Sequence, residues 1–323
     1  MIYLIVGDVH LDKHRRLADT KSLLDFVVDT ADKEQCGTVI QLGDLYETRR
    51  PYQEEMRTAE NFVKSLVRTG KRVILLAGNH DSTGIQSAID EFRELSVNNV
   101  EVYNQPSVVD GIFIGHFGLQ ESAMGAYDFR SPRFMPMSTM VVRWPGCRLY
   151  ALGDIHKPQI LNRSPLIFHS GSIDRVDFGE RNEEKYVWTW NSETEELKSI
   201  LVPTRPMIQV DGKFVDGQLR WAKPKANFTG AVVKILVSGN PTELRKVDEP
   251  LLRGEYSTAY SLTIQYDVVR ESSLKKFKET GIAEGITPAE ALTTYVRSLS
   301  LDKESENTVL ELGKEIIEKH GRN

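Results

Sequence analysis

The sequence predicts an α/β protein whose core is two packed β-sheets with helices outside. Three observations lead there. Over about the first 95 residues, short apolar runs alternate three times with helix-spaced stretches, which argues for crossover units on a largely parallel sheet. Each of those runs ends in Gly followed by Asp or Asn, and open α/β sheets carry their sites at the carboxyl ends of strands. From residue 165 to about 202 the pattern changes to short strands, which supply the second sheet.

The opening run Met1-Ile2-Tyr3-Leu4-Ile5-Val6 reads as a buried strand and leads into Gly7-Asp8-Val9-His10. Residues i and i+2 of an extended chain point to one side, so Asp8 and His10 can grip one ion. Taken alone, the pair describes a polar turn equally well. Leu17, Leu23, Leu24, Val27, Val28 and Ala31 suit a helix near 15–33 lying on a sheet. Thr38–Leu42 is the next strand and runs into Gly43-Asp44-Leu45-Tyr46-Glu47. Met56, Ala59, Phe62, Val63 and Leu66 mark one side of a second helix near 53–68. The strand Arg72–Ala77 then delivers Gly78-Asn79-His80-Asp81, and a shorter helix near 84–95 follows.

Val100–Tyr103 and Ile112–Gly115 read as strands, the latter ending at His116. Residues 118–137 mix Gly, Ser, Met, Phe and Pro without a period and read as a long loop, either a lid or a contact surface. Arg148–Leu152 ends at Gly153-Asp154-Ile155-His156. Leu166–His169, Tyr186–Trp190 and Leu197–Val202 complete the core. Pro203-Thr204-Arg205-Pro206 reads as a linker. Beyond it lies a smaller mixed unit with strands at 207–210, 231–237 and 260–266 and a helix near 241–252. From about 271, two helical stretches are separated by the charged segment Asp302–Glu306.

With 323 residues, 40% hydrophobic and 27% charged, the chain has the composition of a soluble protein with more than one compact unit. No apolar stretch approaches membrane-spanning length, and the opening run is too short for a signal-peptide core and has no basic region ahead of it. A cytoplasmic protein without membrane contact is expected. Cys36 and Cys147 form neither a disulfide framework nor a zinc spacing and are expected to be packing residues. The formal net charge of −5 does not mark a nucleic-acid binder, but basic residues cluster beside the motifs. They are Lys13, Arg15 and Arg16, then Arg49 and Arg50, then Lys157. A basic rim around an acidic centre suits an anionic substrate. Each of these residues singly is a solvated loop charge on the plainer reading.

Asp8, His10, Asp44, Asn79, His80, His116, Asp154 and His156 all fall at the ends of apolar strands. Four of the chain's seven histidines are among them, which scattered structural histidines would not do. Oxygen and imidazole donors without thiolates suit Mn²⁺, Fe or Mg²⁺. Their number suits two ions sharing a carboxylate, and such a pair can drive a displacement at phosphorus. Asp44, from a central strand, is the bridging candidate.

These motifs, Gly7-Asp8-x-His10, Gly43-Asp44, Gly78-Asn79-His80-Asp81, Gly115-His116 and Gly153-x-x-His156, resemble the calcineurin-like metallophosphoesterases. Leu152–Gln159 and Ser170–Glu180 are similar to the SbcD nuclease branch, over residues 1 to about 205. The resemblance implies a two-sheet metallophosphoesterase sandwich over 1–205, a small α+β capping domain over 206–269 and a helical segment over 270–323. It implies that Asp8, His10, Asp44 and His156 hold one divalent ion, and that Asp44, Asn79, His116 and Asp154 hold the other. Mn²⁺ is the first expectation and Mg²⁺ the second. His80 would be the non-ligand acid at the leaving oxygen. The implied activity is exonuclease and endonuclease cleavage of DNA in repair and recombination. The implied partner is an SbcC-like SMC-type ATPase docked on the tail, with a homodimer inside a heterotetramer, of bacterial or bacteriophage origin.

Two positions depart from the pattern. Asp154 stands where many relatives have His, and a carboxylate is a competent ligand for hard ions. Glu47 stands where relatives often have His, which calls a phosphate contact there into question and leaves a plain surface charge as the alternative. The Ser172–Glu180 segment carries no derived catalytic role; closure of the core is an equal reading. One competing reading is a phosphoesterase acting on a phosphoprotein or small nucleotide. Leu45-Tyr46-Glu47 and Asp81 do not follow the protein-phosphatase pattern. The other is a non-catalytic DNA-binding scaffold, favoured only by Asp154 and Glu47.

Overall fold

A computed structural model describes residues 1–83, 86–94, 99–123, 134–269, 288–298 and 302–320. Its first compact unit comprises Met1–Ile208 with Ala226–Val233 and Thr258–Ser261. Here β1 (Ile2–Val6), β2 (Thr38–Leu42), β3 (Arg72–Leu76) and β4 (Val100–Tyr103) run parallel, with α1 (Leu17–Lys33) and α2 (Gln53–Arg68) as crossovers. The edge beside β1 is extended by β10 (Tyr186–Asn191) and β11 (Glu196–Leu201), both antiparallel additions. The sheet order is β11-β10-β1-β2-β3-β4.

The second sheet contains β5 (Ser107–Val109), β6 (Ile112–His116), β7 (Leu149–Gly153), β8 (Gln159–Arg163) and β9 (Leu166–His169), in the order β5-β6-β7-β9-β8. Its three inner strands β6, β7 and β9 are parallel. Side chains alternate across a strand, so each strand of the first sheet feeds two layers. Leu4, Val6, Val39, Val73 and Leu75 face α1 and α2. Tyr3, Ile5, Ile40, Leu42, Ile74 and Leu76 meet Ile112, Ile114, Leu149, Ala151 and Phe168 of the second sheet. The outer face of the second sheet, with Phe113, Tyr150, Leu152 and Ile167, packs on Met140 of α4 (Met137–Arg143). Being covered on both sides is why the strands read as unbroken apolar runs. Each fully buried Leu or Ile in these layers contributes roughly 1.5–3 kcal/mol.

The expected two-sheet α/β core is therefore present, and both cysteines are buried within it. Several elements differ from expectation. β5, β8 and α4 lie where periodicity showed nothing, because β5 is only three residues long, β8 mixes polar and apolar residues with no buried face, and α4 is only seven residues long. In place of a helix over 84–95 the described residues hold a single turn, Ala88–Asp90, and the short α3 (Glu91–Glu94). Part of the 118–137 loop, residues 124–133, lies outside the described residues.

The second unit comprises Gln209–Lys225, Lys234–Ser257 and Leu262–Asn323. Most of a four-stranded sheet belongs to it, built from β12 (Met207–Val215), β13 (Gln218–Ala222), β14 (Val232–Gly239) and β15 (Ser261–Val268), in the order β13-β12-β14-β15. The β12–β13 hairpin turns at Asp216-Gly217, both with positive φ (52° and 74°), the backbone that an Asp-Gly pair favours in a two-residue hairpin. The single helix expected near 241–252 is two, α5 (Pro241–Leu244) and α6 (Glu249–Glu255), each started by a side-chain cap, Asn240 and Asp248. Of the tail, α7 (Pro288–Ser298) and α8 (Lys303–His320) are described, and Leu292 of α7 lies over Gly313 of α8. Asp302–Glu306 does not separate the helices as a linker. Asp302 caps α8 by accepting from Ser305 N at 2.9 Å, and the charged residues form its first turn. Residues 270–287 lie outside the described residues.

Candidate metal centre

The loops after β1, β2, β3, β6 and β7 converge because their strands are neighbours in register. Val6 pairs with Gln41 and Leu42 with Leu76, so Asp8, Asp44 and Asn79 leave the first sheet side by side. His116 and Gly153 are paired at the corresponding end of the second sheet. The loops then bind one another through the main chain. Val9 N and His10 N both donate to Asp44 O, at 3.0 and 2.9 Å. The buried Asp81 carboxylate accepts from Gly78 N, Leu45 N and Tyr46 N, tying the second loop to the third. Burial pushes Asp81 up to about 6, against the pull of those N–H donors.

The glycine before each candidate ligand has a steric cause. A Cβ on Gly43 would stand 2.2 Å from His116 Nδ1, and one on Gly78 2.0 Å from Asp44 Oδ1. His10, Asp44 and Asp154 adopt positive φ (51°, 52° and 77°), a conformation that costs a non-glycine residue on the order of 1–3 kcal/mol and collects at functional sites.

Two lobes result. In one, His10 Nε2 lies 3.0 Å from His156 Nε2, and Asp8 Oδ2 lies 4.0 Å from the latter. In the other, His116 Nε2 lies 3.1 Å from Asp44 Oδ2, 3.0 Å from Asn79 Oδ1 and 3.9 Å from Asp154 Oδ1. Asp44 Oδ2 belongs to both, being also 3.9 Å from His10 Nε2. Burial works against the charge on Asp44, but the His116 hydrogen bond, the neighbouring imidazoles and His80 N–H outweigh it and hold the carboxyl near 2. Burial also opposes a charged His116, yet the Asp44 hydrogen bond and the charges of Asp8, Asp44 and Asp154 raise it to about 10. Asp154 is raised, by burial first and then by Asp8 and Asp44.

This donor set fits divalent cations. Asp8 is 0% exposed, and its Oδ2 has no hydrogen-bond partner. His116 Nδ1 is 2.7 Å from Leu42 O and must donate there, so Nε2 turns its other valence toward two oxygens, Asp44 Oδ2 and Asn79 Oδ1. Two atoms bound to one ion at about 2.1 Å lie at most about 4.2 Å apart, and each of these separations in the two lobes falls inside that. The arrangement can gather two hard cations around a shared carboxylate.

His80 stands beside the first lobe, its ring edge-on to His10 at 5.0 Å. Its N donates to Asp44 Oδ1 at 2.8 Å, and its Nδ1 donates to Glu47 O at 2.8 Å, leaving Nε2 free to carry a proton.

The basic rim is smaller than expected. Arg16 turns inward, 8% exposed, onto Asp174 Oδ2 at 2.8 Å, and Arg15 binds Glu47 Oε2 at 2.8 Å and His10 O at 3.1 Å. Neither stands free for a substrate. Lys13 Nζ sits 3.4 Å above the Tyr52 ring. Arg49 and Arg50 are exposed and Lys157 is half-buried. Arg49 lines a pocket of about 300 Å³ together with Asn79, Asn104 and His116.

Two residues acquire partners that sequence reasoning missed. Glu47 is not a plain surface charge: its Oε2 lies 3.1 Å from His10 Nδ1. Glu180 Oε1 accepts from His156 Nδ1 at 2.8 Å, and its Oε2 meets the fully buried Lys185 Nζ at 2.8 Å. The Ser172–Glu180 segment closes the core as well, since Ile173 N donates to Asp8 O and Ser172 N to His156 O. The Asp-x-His spacing itself could not reveal either carboxylate, because both partners come from other loops.

Burial raises the Glu180 carboxyl, but the His156 hydrogen bond and the Lys185 charge prevail and bring it from an ordinary 4.5 to about 2. A depressed carboxylate contributes stability that is complete above the unfolded value and lost as pH falls through the folded one. The stability gap between wild type and Glu180→Gln is therefore expected to be full above pH 4.5 and to shrink between pH 4.5 and 2. Urea unfolding across that range reads it; a gap independent of pH contradicts the pairing.

The family profile of calcineurin-like phosphoesterases matches residues 1–146. The chain is 31% identical over 99 residues to the SbcD subunit of the SbcCD nuclease from Escherichia coli (strain K12), a match covering 29% of this chain and 24% of that one. It thus spans about a quarter of that relative's length. It is 25% identical over 266 residues to the corresponding SbcCD nuclease subunit of Staphylococcus epidermidis, covering 64% of this chain and 70% of the other. A solved structure described as a novel archaeal phosphodiesterase aligns at 14% identity and a TM-score of 0.42, over 62% of this chain and all of that one. The profile match takes in the loops that bear Asp8, His10, Asp44, Asn79 and His116, while Asp154 and His156 lie beyond it, so that over residues 1–146 this chain is similar to the calcineurin-like phosphoesterases.

Proposed function

We propose that the chain is the nuclease subunit of an SbcCD-like complex and hydrolyses DNA phosphodiesters, by exonuclease and endonuclease cleavage, with two divalent ions, Mn²⁺ before Mg²⁺. The observation that carries this is Asp44 Oδ2, placed 3.1 Å from His116 Nε2 and 3.9 Å from His10 Nε2, within reach of both lobes. Asp8, His10, Asp44 and His156 would hold one ion, and Asp44, Asn79, His116 and Asp154 the other. When bound, the ions supply an activated water and charge stabilisation at phosphorus. His80, steadied through Nδ1, hands a proton from Nε2 to the leaving oxygen. Arg49 and Arg50, both exposed, draw the phosphate backbone toward the site.

DNA as substrate, and an SbcC-like ATPase as partner, rest on the names of the Escherichia coli and Staphylococcus epidermidis relatives. On this reading residues 206–269 cap the nuclease domain over 1–205 and shape DNA access. Residues 270–323 dock the ATPase, and the complex is a heterotetramer built on a homodimer, working in DNA repair in the cytoplasm. No helix among the described residues is long and apolar enough to cross a membrane. The pocket of about 300 Å³ beside Asn79 and His116 favours, as a second reading, a small nucleotide phosphodiester.

Labelled DNA incubated with the protein, with and without a matching ATPase, in Mn²⁺, Mg²⁺ or EDTA separates the two. Manganese-dependent cleavage abolished by EDTA is the expected result. Hydrolysis of a small phosphodiester with no DNA cleavage under any condition would replace the nuclease reading with the second.

A further inference from the structure

Each of the facing imidazoles of the first lobe has a carboxylate beside its Nδ1. His156 Nδ1 meets Glu180 Oε1 at 2.8 Å, Lys185 Nζ meets Glu180 Oε2 at 2.8 Å, and the same Nζ donates to His156 O at 3.0 Å. On the other side, His10 Nδ1 lies 3.1 Å from Glu47 Oε2, within ion-pair distance but without the alignment of a hydrogen bond, and it has no hydrogen-bond partner elsewhere. Arg15 Nη2 donates to Glu47 Oε2 at 2.8 Å and to His10 O at 3.1 Å. Each histidine thus has a carboxylate on Nδ1 and a cation that joins that carboxylate to the histidine's own carbonyl. The two sets come from unrelated parts of the chain, 10–47 and 156–185.

An ionised carboxylate has no hydrogen to give, so the Glu180 hydrogen bond requires the proton on His156 Nδ1, and the Glu47 charge beside His10 Nδ1 favours it there. That sets the two Nε2 atoms 3.0 Å apart, where facing lone pairs repel and a proton or a metal cation between them relieves the repulsion. A carboxylate on Nδ1 also makes Nε2 a stronger donor. The cation behind each carboxylate cancels its charge, so donor strength is gained without adding net negative charge beside Asp8, Asp44 and Asp154.

We propose that Arg15–Glu47–His10 and Lys185–Glu180–His156 are two matched positioning relays that set both facing imidazoles as Nδ1–H tautomers and present both Nε2 atoms to one divalent cation. This rests on the metal reading given under Proposed function. It assigns Glu47, where the family pattern has histidine, a role toward His10 rather than toward substrate.

The test uses the full chain. Imidazole ¹⁵N spectra of metal-free protein, assigned with His10→Ala and His156→Ala, report the tautomers, and calorimetry reports Mn²⁺ affinity. Wild type is expected to show Nδ1–H at both rings. Glu47→Gln is expected to mix the tautomers of His10 only, Glu180→Gln those of His156 only, and each to weaken Mn²⁺ binding by about 10–100-fold. Glu47 is partly exposed, so Glu47→Gln keeps the test decisive if the more buried Glu180→Gln does not fold. Unchanged tautomers or unchanged Mn²⁺ affinity in Glu47→Gln overturns the proposal. Protein that shows the expected tautomers and binds Mn²⁺ yet cuts no DNA overturns the nuclease reading and leaves the relays standing.

Discussion

Asp44→Asn is expected to lower phosphodiester hydrolysis on the order of a thousand-fold while leaving the fold intact. Asn is nearly the shape of Asp, tolerates the positive φ of 52° at this position, and keeps an oxygen to accept His80 N–H at 2.8 Å. The main-chain oxygen that takes Val9 N and His10 N is untouched. What disappears is the negative charge within reach of both lobes, at 3.1 Å from His116 Nε2 and 3.9 Å from His10 Nε2. Losing one carboxylate also relieves the like-charge crowding that raises Asp154, so thermal stability is expected to stay close to wild type. Activity against a phosphodiester, Mn²⁺ stoichiometry by calorimetry and a thermal melt together check this. Two ions bound at wild-type affinity with full activity would remove Asp44 from the bridging role.

Gly7→Ala is expected to destabilise the fold by about 3 kcal/mol and to weaken Mn²⁺ binding with it. A Cβ at position 7 would stand 1.7 Å from Gly171 O and 2.5 Å from Ser170 Oγ. The first of these is main chain, and it cannot step aside. Ser170 N is bound to Leu152 O, Ser172 N to His156 O and Ile173 N to Asp8 O, each at 3.0–3.1 Å. The strain must move either the first strand or the strap beneath it, and Asp8 and His156 move with them. Gly254→Ala in α6 is the matched control, because nothing lies within 4 Å of a Cβ there. It is expected to be neutral or to stabilise by about 0.5–1 kcal/mol, through the better helix propensity of Ala. Equal effects from the two substitutions in chemical denaturation would show that close packing at Gly7 is not what the first motif requires.

Much of this was legible in the sequence because the information is local. A buried strand such as Thr38–Leu42 announces itself by an apolar run, and a ligand-bearing loop by the Gly and Asp that follow at once. Elements with a weak local signature were not legible. The polar strand Gln159–Arg163 and the seven-residue helix Met137–Arg143 owe their existence to neighbours in the fold. Asp216-Gly217 carries a local hairpin signal, and the strand after it is a short alternation of only five residues.

The centre divides along the same line. By itself the sequence determined which residue types could gather at the strand ends, since Asp8, His10, Asp44, Asn79, His116, Asp154 and His156 each follow directly from a strand and its closing loop. Only the tertiary structure decided what surrounds them. Arg16 and Lys13 look alike as loop charges, yet Arg16 is turned into an ion pair with Asp174, which follows 158 positions later. Glu47 and Glu180 read as unremarkable acids until the fold sets one behind His10 and the other behind His156. Strand formation depends on neighbours one or two positions away, whereas the charge state and tautomer of a buried imidazole depend on whatever lies within about 3 Å in space.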